Sequence, residues 1–169
     1  MPTSRADLLD LPPMLPSSAN ADPNRTAYTI TVDADVDAIT TGISAQDRSL
    51  TCNLLADPKS KSTHFRRPGH VVPLRAVDGG VRARQGHTEA AVDLCILAGL
   101  EPVGVIAEIV EEGEEVAGPG MHDLQRGPSQ AEMTGIGMMR RDGCLKFGRK
   151  YGIKVITIED MVKHMESRA

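Results

Sequence analysis

The feature that most restricts the fold of this chain is the alternation of strand-type and helix-type apolar patterns along it. The strand patterns have β-branched alternation or short apolar runs, and the helix patterns have an apolar stripe or capping residues at their ends. The strand patterns lie at 28–33, 103–110 and 153–158, and the helix patterns at 44–56, 88–98, 142–150 and 159–166. This order predicts an α/β domain in which sheet and helices form layers.

The 169 residues correspond to about one domain. Residues 1–26 are rich in Pro, Ser, Asn and Asp, and their prolines oppose a regular helix, which predicts an extended N-terminal arm. We expect residues 27–169 to form a single α/β domain. A loop at 111–137 contains several acidic residues and glycines, and loops of that length are usually functional or disordered.

Composition excludes several classes of function. The chain has 19 Lys+Arg and 23 Asp+Glu, a net charge of −4, with two Tyr, two Phe and no Trp. This composition argues against a nucleic-acid partner, which would need basic patches or stacking rings. No apolar run approaches the length of a membrane span, and residues 1–7 show no secretory signal, so we expect no membrane partner. Three widely spaced cysteines favour a reducing compartment, and therefore the cytoplasm.

The segment 84–89 is the first candidate site. Gly86 allows a ligand to approach the backbone, and a helix that begins near Thr88 directs free N–H groups and a positive dipole end toward an anion such as phosphate. Arg84 adds a forked charged donor, and His87 is a candidate metal ligand or acid–base group. The alternative is an ordinary helix start with a surface histidine, which the pattern alone favours.

Two further candidates for acid–base chemistry are His70 and Glu108. His70 follows a Pro-Gly turn, and catalytic groups often lie on such loops, although an ordinary turn has the same pattern. Glu108 interrupts an apolar strand pattern, so it lies either on a solvated face or in a pocket where it could act as a general base. Thr41 precedes a glycine and a helix start, where its hydroxyl could bind polar ligand atoms or simply help to cap the helix.

Four of these segments together resemble the 3,4-dihydroxy-2-butanone 4-phosphate synthase family, in order and spacing. They are Thr40-Thr41-Gly42-Ile43-Ser44-Ala45-Gln46-Asp47-Arg48, Arg67-Pro68-Gly69-His70, Gly86-His87-Thr88-Glu89-Ala90-Ala91-Val92-Asp93-Leu94 and Ile156-Thr157-Ile158-Glu159-Asp160. The resemblance runs from about residue 11 to the C-terminus and implies that family's α/β fold. It also implies a magnesium-dependent, homodimeric lyase of riboflavin biosynthesis that converts ribulose 5-phosphate to dihydroxybutanone phosphate and formate.

The resemblance also implies roles for individual residues. His70 and Glu108 would be the acid–base groups, and His87 would be a magnesium ligand. Thr41 would contact the substrate, and its phosphate would lie against Arg84, Gln85, Gly86, His87 and Thr88.

We expect the chain to depart from the family by lacking its N-terminal portion, which carries an acidic stretch of the type Arg-Glu-Asn-Glu-Gly-Asp. One histidine is a poor magnesium site, because magnesium prefers several oxygen ligands. We therefore expect a truncated, repurposed lyase or isomerase that uses His70, His87 and Glu108 for proton transfer on a small oxygenated substrate. The alternatives are a non-catalytic chain completed by a partner and, ranked last, the ordinary synthase reaction. A homodimer or a partner chain would cover the apolar surface that the missing portion leaves bare.

Overall fold

The computed structural model describes residues 1–111 and 137–167. In these residues the chain forms five helices of more than one turn and four short strands. In chain order they are α1 (Thr3–Leu8), β1 (Ala27–Tyr28), β2 (Val32–Ala34), α2 (Ala45–Ala56), β3 (Phe65–Val71), β4 (Leu74–Arg75), α3 (His87–Leu97), α4 (Arg141–Tyr151) and α5 (Ile158–Glu166). The mixed composition of helix and strand agrees with the predicted α/β class.

The strands form two antiparallel pairs. β1 pairs with β4, with Tyr28 opposite Leu74, and β2 pairs with β3, with Ala34 opposite Phe65. Helix α2 packs against β2 and β3, where the Thr51 hydroxyl accepts a hydrogen bond of 2.9 Å from the backbone N–H of Ala34. Because this bond joins a buried helix side chain to a strand, it fixes the position of α2 against the β2–β3 pair.

Three of the predicted helices each have one end that is defined by residues close to it in the sequence. The Ser44 hydroxyl accepts a hydrogen bond from the N–H of Asp47 at the start of α2. Thr157 and Asp160 form a capping box at the start of α5. At the end of α4, Gly152 has a left-handed conformation with a φ of 66°. These ends were accessible from sequence because each depends on residues within one turn.

The prediction of an extended arm at 1–26 is wrong for its first residues. Residues 3–8 form α1, which lies ahead of the prolines that oppose a helix further along. The main core contains four apolar residues of 1–26 and four from the sheet and α2: Met1, Ala6, Leu9, Leu11, Val32, Leu55, Phe65 and Val71. The segment is therefore part of the core, because burying its apolar side chains is favourable.

The expected single domain at 27–169 also differs from the structure, which divides into two compact units. The first comprises residues 1–106 and 157–169, and the second residues 107–156. The first unit includes a smaller apolar cluster, in which Val81 and Ala90 pack with Met161 of α5. The second includes α4 and an isolated antiparallel bridge between Val110 and Met138. Most of the loop predicted at 111–137 lies outside the described residues.

The strands predicted at 103–110 and 153–158 do not form. Apart from the bridge at Val110, neither segment has a ladder partner among the described residues, and α5 already begins at Ile158. Their apolar side chains are largely exposed, with Val105 at 75%. An apolar run predicts that a segment will be buried, but a strand also needs a neighbour to accept its hydrogen bonds. No helix in the described part of the chain is both long and apolar enough to cross a membrane.

Candidate functional site

An irregularity between β2 and β3 places His70 beside a buried carboxylate. Val32 lies opposite Val71, but the next residue, Asp33, lies opposite Arg66, so residues 67–70 bulge out of the ladder. The backbone of Gly69 passes so close to β2 that an added Cβ would lie 2.0 Å from the carbonyl carbon of Val32. A glycine is therefore required for the bulge to fold back onto the strand.

The carboxylate of Asp33 holds His70 at two points. Asp33 Oδ1 accepts a hydrogen bond of 2.8 Å from the backbone N–H of His70, and Oδ2 lies 2.6 Å from the ring atom Nδ1. The side chain of Asp33 is 9% exposed, whereas that of His70 is 44% exposed. The pair thus has a buried anchor and an accessible imidazole, which is the arrangement of an oriented acid–base group.

The loop at 40–44 closes over this pair. Gly42 has a φ of 84°, and a Cβ there would lie 2.2 Å from Asp33 Oδ2 and 2.7 Å from His70 Nδ1. The loop is held by buried Asp47, which accepts hydrogen bonds from the hydroxyl of Thr40 at 2.7 Å and the N–H of Gly42 at 3.0 Å. The bond from the Thr40 hydroxyl is the main reason that the pKa of Asp47 lies below its usual value. Thr41 is exposed in this loop.

A cavity of about 300 Å³ in the first unit has His70 and Thr88 in its wall. This volume lies at the lower end of the range for small-molecule pockets. Arg48 also lines the cavity, and its guanidinium donates a hydrogen bond of 3.3 Å to the carbonyl of His70. Cys52 lines it too, but burial raises the pKa of its thiol, so the thiol stays protonated and is a poor nucleophile.

The start of α3 provides a feature suited to an anion. The residue before the helix, Gly86, forms no side-chain cap, so no side chain of this residue competes for the first N–H groups of α3. Arg84 Nη1 donates a hydrogen bond of 2.6 Å to Oε2 of fully buried Glu89, and Nη2 donates to the carbonyl of Asn24 at 2.9 Å. The other oxygen of Glu89 accepts from the N–H of Val77 at 2.8 Å. Arg84 is therefore held at the start of α3 by Glu89, whose carboxylate compensates the charge of the guanidinium.

The structure brings only some of the predicted site residues together. His70 and Thr88 share the cavity wall, whereas Arg84, Gln85, Gly86, His87 and Thr41 do not line it. Gln85 and His87 are exposed. Glu108 belongs to the second unit and is exposed. Of the two expected environments, a solvated face and a pocket, the structure shows the solvated face. The assignment of these residues to one site stays a prediction.

Three residues that contribute most to this geometry were given no role by the sequence analysis. Asp33 and Glu89 are the buried carboxylates that hold His70 and Arg84, and Arg48 lines the cavity. Asp33 stands at the end of an alternating strand pattern, on the polar face with Thr29 and Thr31, so the sequence gives no signal that it is buried. Glu89 has the signal of an acidic residue in the first turn of a helix, but that position is usually solvated.

The residues present do not fit a complete magnesium site. Among the described residues, no group of three His, Cys, Asp or Glu side chains could hold a metal ion. His87 offers a nitrogen ligand at the first residue of α3, where the helix dipole is positive, and magnesium prefers several oxygen ligands. A magnesium site that uses His87 therefore needs oxygen ligands from outside the described residues.

The fold and the site define an α/β protein in which a histidine held by a buried carboxylate lines a cavity near a helix start suited to an anion. The model of the family 3,4-dihydroxy-2-butanone 4-phosphate synthase matches residues 1–164. A 3,4-dihydroxy-2-butanone 4-phosphate synthase from Pyricularia oryzae is 55% identical over 162 residues, which cover 96% of this chain and 64% of the relative. The riboflavin biosynthesis protein RibBA of Mycobacterium marinum is 46% identical over 157 residues, covering 93% of this chain and 32% of that protein.

Solved structures agree with this result. A crystal structure of 3,4-dihydroxy-2-butanone 4-phosphate synthase in complex with two magnesium ions is 53% identical and superposes with a TM-score of 0.86. The match covers 99% of this chain and 71% of that one. The chain belongs to the 3,4-dihydroxy-2-butanone 4-phosphate synthase family, as the motifs predict, and it spans about two thirds of the length of the synthases it matches.

Proposed function

We propose that the chain serves the synthase reaction of its family, in which ribulose 5-phosphate gives 3,4-dihydroxy-2-butanone 4-phosphate and formate for riboflavin synthesis. The sequence alone ranks this reaction last, behind a repurposed lyase or isomerase and a half-site chain. The names of the relatives support the synthase reaction better than either. The observation that carries the proposal is His70, which lines a cavity and is held by the buried carboxylate of Asp33.

The pair suits the first chemical requirement of this reaction, which is removal of a proton next to a carbonyl. Because Nδ1 of His70 is engaged by Asp33, the ring nitrogen left to exchange a proton is Nε2. Glu108 is proposed as a second acid–base group. Its exposed position leaves the carboxylate accessible, which supports this role.

The phosphate of the substrate is proposed to bind at the start of α3. The backbone N–H groups of His87 and Thr88 would donate to its oxygens, since an uncapped helix start favours negative charge. Gly86, whose own N–H donates to the carbonyl of Arg84 at 2.8 Å, would lie beside the phosphate. Gln85 would add an amide donor, and Arg84 a positive charge whose place is fixed by Glu89. Thr41 would contact the sugar hydroxyls with its own hydroxyl.

Magnesium is proposed as the cofactor, because a family member has been crystallised with two magnesium ions. When bound, a divalent cation would polarise the oxygens of the ketose. His87 is the described residue proposed as a ligand, together with oxygen ligands from elsewhere. The binding and proton-transfer roles proposed for the other residues do not depend on magnesium, because they are argued from the contacts of those residues.

We also propose that the protein is a cytoplasmic homodimer. Several apolar side chains on and just after α3 are exposed, which supports an interface: Leu94, Ile96, Leu97 and Leu100. The three free cysteines support a reducing compartment. Light scattering should give a mass of twice 18.1 kDa, and a single species of 18.1 kDa would count against the dimer.

The reaction is tested by incubating the purified protein with ribulose 5-phosphate and magnesium chloride and measuring formate. Wild type should release formate, and His70→Gln should lower the rate by about 100-fold or more, as expected for loss of a general acid–base group. His164→Gln is the matched control, because His164 is an exposed residue near the end of α5.

Other outcomes favour the alternatives. A new sugar phosphate without formate would indicate a repurposed isomerase. Binding of ribulose 5-phosphate with no turnover would indicate a chain that only completes another site. Equal formate release by wild type and His70→Gln would remove His70 from the mechanism.

A further inference from the structure

The cavity that His70 lines also contains a cationic side chain, Arg48, to which the proposed function assigns no role. Among the residues that the structure describes, no Asp or Glu lines this cavity. Most of the other lining side chains are apolar, among them Leu55, Val71 and Val105. A positive charge in such surroundings interacts more strongly with a nearby anion than it would in bulk water.

Helix α2 sets the position of Arg48. Arg48, Cys52 and Leu55 are spaced by four and three residues, so they share the face of α2 that lines the cavity. Burial raises the pKa of the Cys52 thiol and the charge of Arg48 opposes that rise, so this charge acts within the cavity wall. The Arg48 guanidinium also donates to the carbonyl of His70 at 3.3 Å, which places it next to the residue proposed to move a proton.

Most of the hydrogen-bonding capacity of Arg48 is left for a ligand. A guanidinium has five N–H donors, and the bond to the His70 carbonyl uses one of them. Within residues 1–111 and 137–167, no carboxylate lies within ion-pair distance of Arg48. Its neighbour Asp47 is buried and accepts its hydrogen bonds from the loop before α2. Arg48 therefore differs from Arg84, whose charge Glu89 compensates at 2.6 Å.

We propose that Arg48 is a catalytic residue that binds the carbonyl oxygen of the ketose and stabilises the negative charge that this oxygen gains when His70 removes the adjacent proton. This inference rests on the proposed function, because it assumes a ketose in the cavity and His70 as the base. It adds a residue whose contact with the substrate is stronger in the transition state than in the bound substrate.

The proton-transfer step balances without a proton from Arg48. The C–H bond next to the carbonyl breaks, its proton joins the ring of His70, and its electron pair forms a carbon–carbon double bond. The former carbonyl oxygen takes the negative charge, and N–H groups of Arg48 donate to it. Because a guanidinium stays protonated in proteins, Arg48 stabilises the enediolate and does not neutralise it.

Exchange of the substrate proton with solvent tests this role directly. In ²H₂O with magnesium chloride, proton NMR of ribulose 5-phosphate records loss of the C–H signal next to the carbonyl, whether or not formate follows. At saturating substrate, Arg48→Ala should exchange about 10²- to 10³-fold more slowly than wild type, as expected for loss of an oxyanion-stabilising donor. The Kd of ribulose 5-phosphate, from calorimetry, should change less than about threefold, because the charge on the oxygen is absent from the bound ketose.

Rescue separates a catalytic role from a structural one. Guanidinium chloride, at concentrations well below those that unfold the protein, should restore part of the exchange rate to Arg48→Ala and leave wild type unchanged. Arg48→Lys should keep more of the rate than Arg48→Ala, since an ammonium retains the charge but not the forked donors. Arg66→Ala is the matched control and should exchange like wild type, because Arg66 is an exposed arginine of β3 that pairs with Asp35.

Three results would overturn the inference. The first is an exchange rate in Arg48→Ala equal to that of wild type. The second is a weaker Kd with full exchange at saturation, which would make Arg48 a group that only binds the substrate. The third is a slow Arg48→Ala that guanidinium does not rescue, which would indicate a structural role. If Arg48→Ala does not fold, Arg48→Gln replaces it, and full exchange in that variant would overturn the inference.

Failure of this inference can be distinguished from failure of the proposed function. If wild type exchanges the proton but releases no formate, the synthase reaction falls, while the variants still decide the role of Arg48. If wild type and Arg48→Ala release formate at the same rate, the reaction stands and the role of Arg48 falls.

Discussion

The ion pair between Arg84 and Glu89 makes a prediction that separates phosphate binding from stability. Glu89 is fully buried, and its two oxygens accept from Arg84 at 2.6 Å and from the N–H of Val77 at 2.8 Å. Arg84→Ala should remove one of these donors and leave a buried carboxylate with a single hydrogen bond. Removing one partner of a buried pair costs about 3 kcal/mol. We therefore expect the free energy of unfolding of Arg84→Ala to fall by about this amount.

A second substitution should reverse most of that loss. In the double variant Arg84→Ala, Glu89→Gln the buried group is neutral, and its oxygen still accepts from Val77. The remaining cost is one unpaired amide, about 1 kcal/mol. The double variant should thus be about 2 kcal/mol more stable than Arg84→Ala, as measured by urea unfolding. The matched control is Arg82→Ala, because Arg82 is exposed and donates to the carbonyl of Met165.

Affinity for ribulose 5-phosphate should not follow the same pattern. If Arg84 contributes its charge to the phosphate, calorimetry should show that both Arg84→Ala and the double variant bind about 10- to 100-fold more weakly than wild type. Recovery of affinity together with stability would show that Arg84 acts only through the fold. A double variant no more stable than Arg84→Ala would refute the reasoning about the buried carboxylate.

Three further predictions concern the loop at 40–44 and the helix that follows it. Gly42→Ala should destabilise the protein by about 2 kcal/mol or more and lower kcat, because the residue has a positive φ and its Cβ would meet Asp33; normal kcat and stability would contradict the packing. Asp47→Asn should be less stable than wild type at pH 7, because the hydrogen bonds that lower the pKa of Asp47 favour its ionised form in the folded protein. The difference in the free energy of urea unfolding between variant and wild type should shrink as the pH falls below 3.8, where the carboxylate becomes protonated. A difference that does not change with pH would contradict this reasoning. Ser44→Ala should cost about 1 kcal/mol in the same assay through loss of the N-cap of α2, and no loss would mean that the cap is satisfied otherwise.

Local signals predicted the helices of this chain better than its strands. The caps at Ser44 and Gly152 act within one turn, so the sequence shows both partners. A strand depends on a partner elsewhere in the chain. The pairing of β2 with β3 joins residues more than thirty positions apart, and its irregular register brings a segment that is polar and loop-like in sequence into the sheet.

The same limit explains why the sequence predicted His70 but not Asp33. His70 stands in a recognisable turn, and its residue type suggests acid–base chemistry. Asp33 gains its importance only from a bulge that brings residues 37 positions apart to 2.6 Å. Arg84 shows the converse case, because the sequence identified its charge but not the buried Glu89 that fixes it.

Asp33 and Glu89 therefore share a principle that residue types alone do not reveal. Each is shielded from water, and each uses its charge to hold a more exposed cationic or titratable side chain at the surface of the first unit. Water would otherwise compete for these bonds, so burial of the acceptor is what makes the positions of His70 and Arg84 definite. The family motifs identify the residues expected to contact the substrate, but buried acidic residues hold these side chains in position.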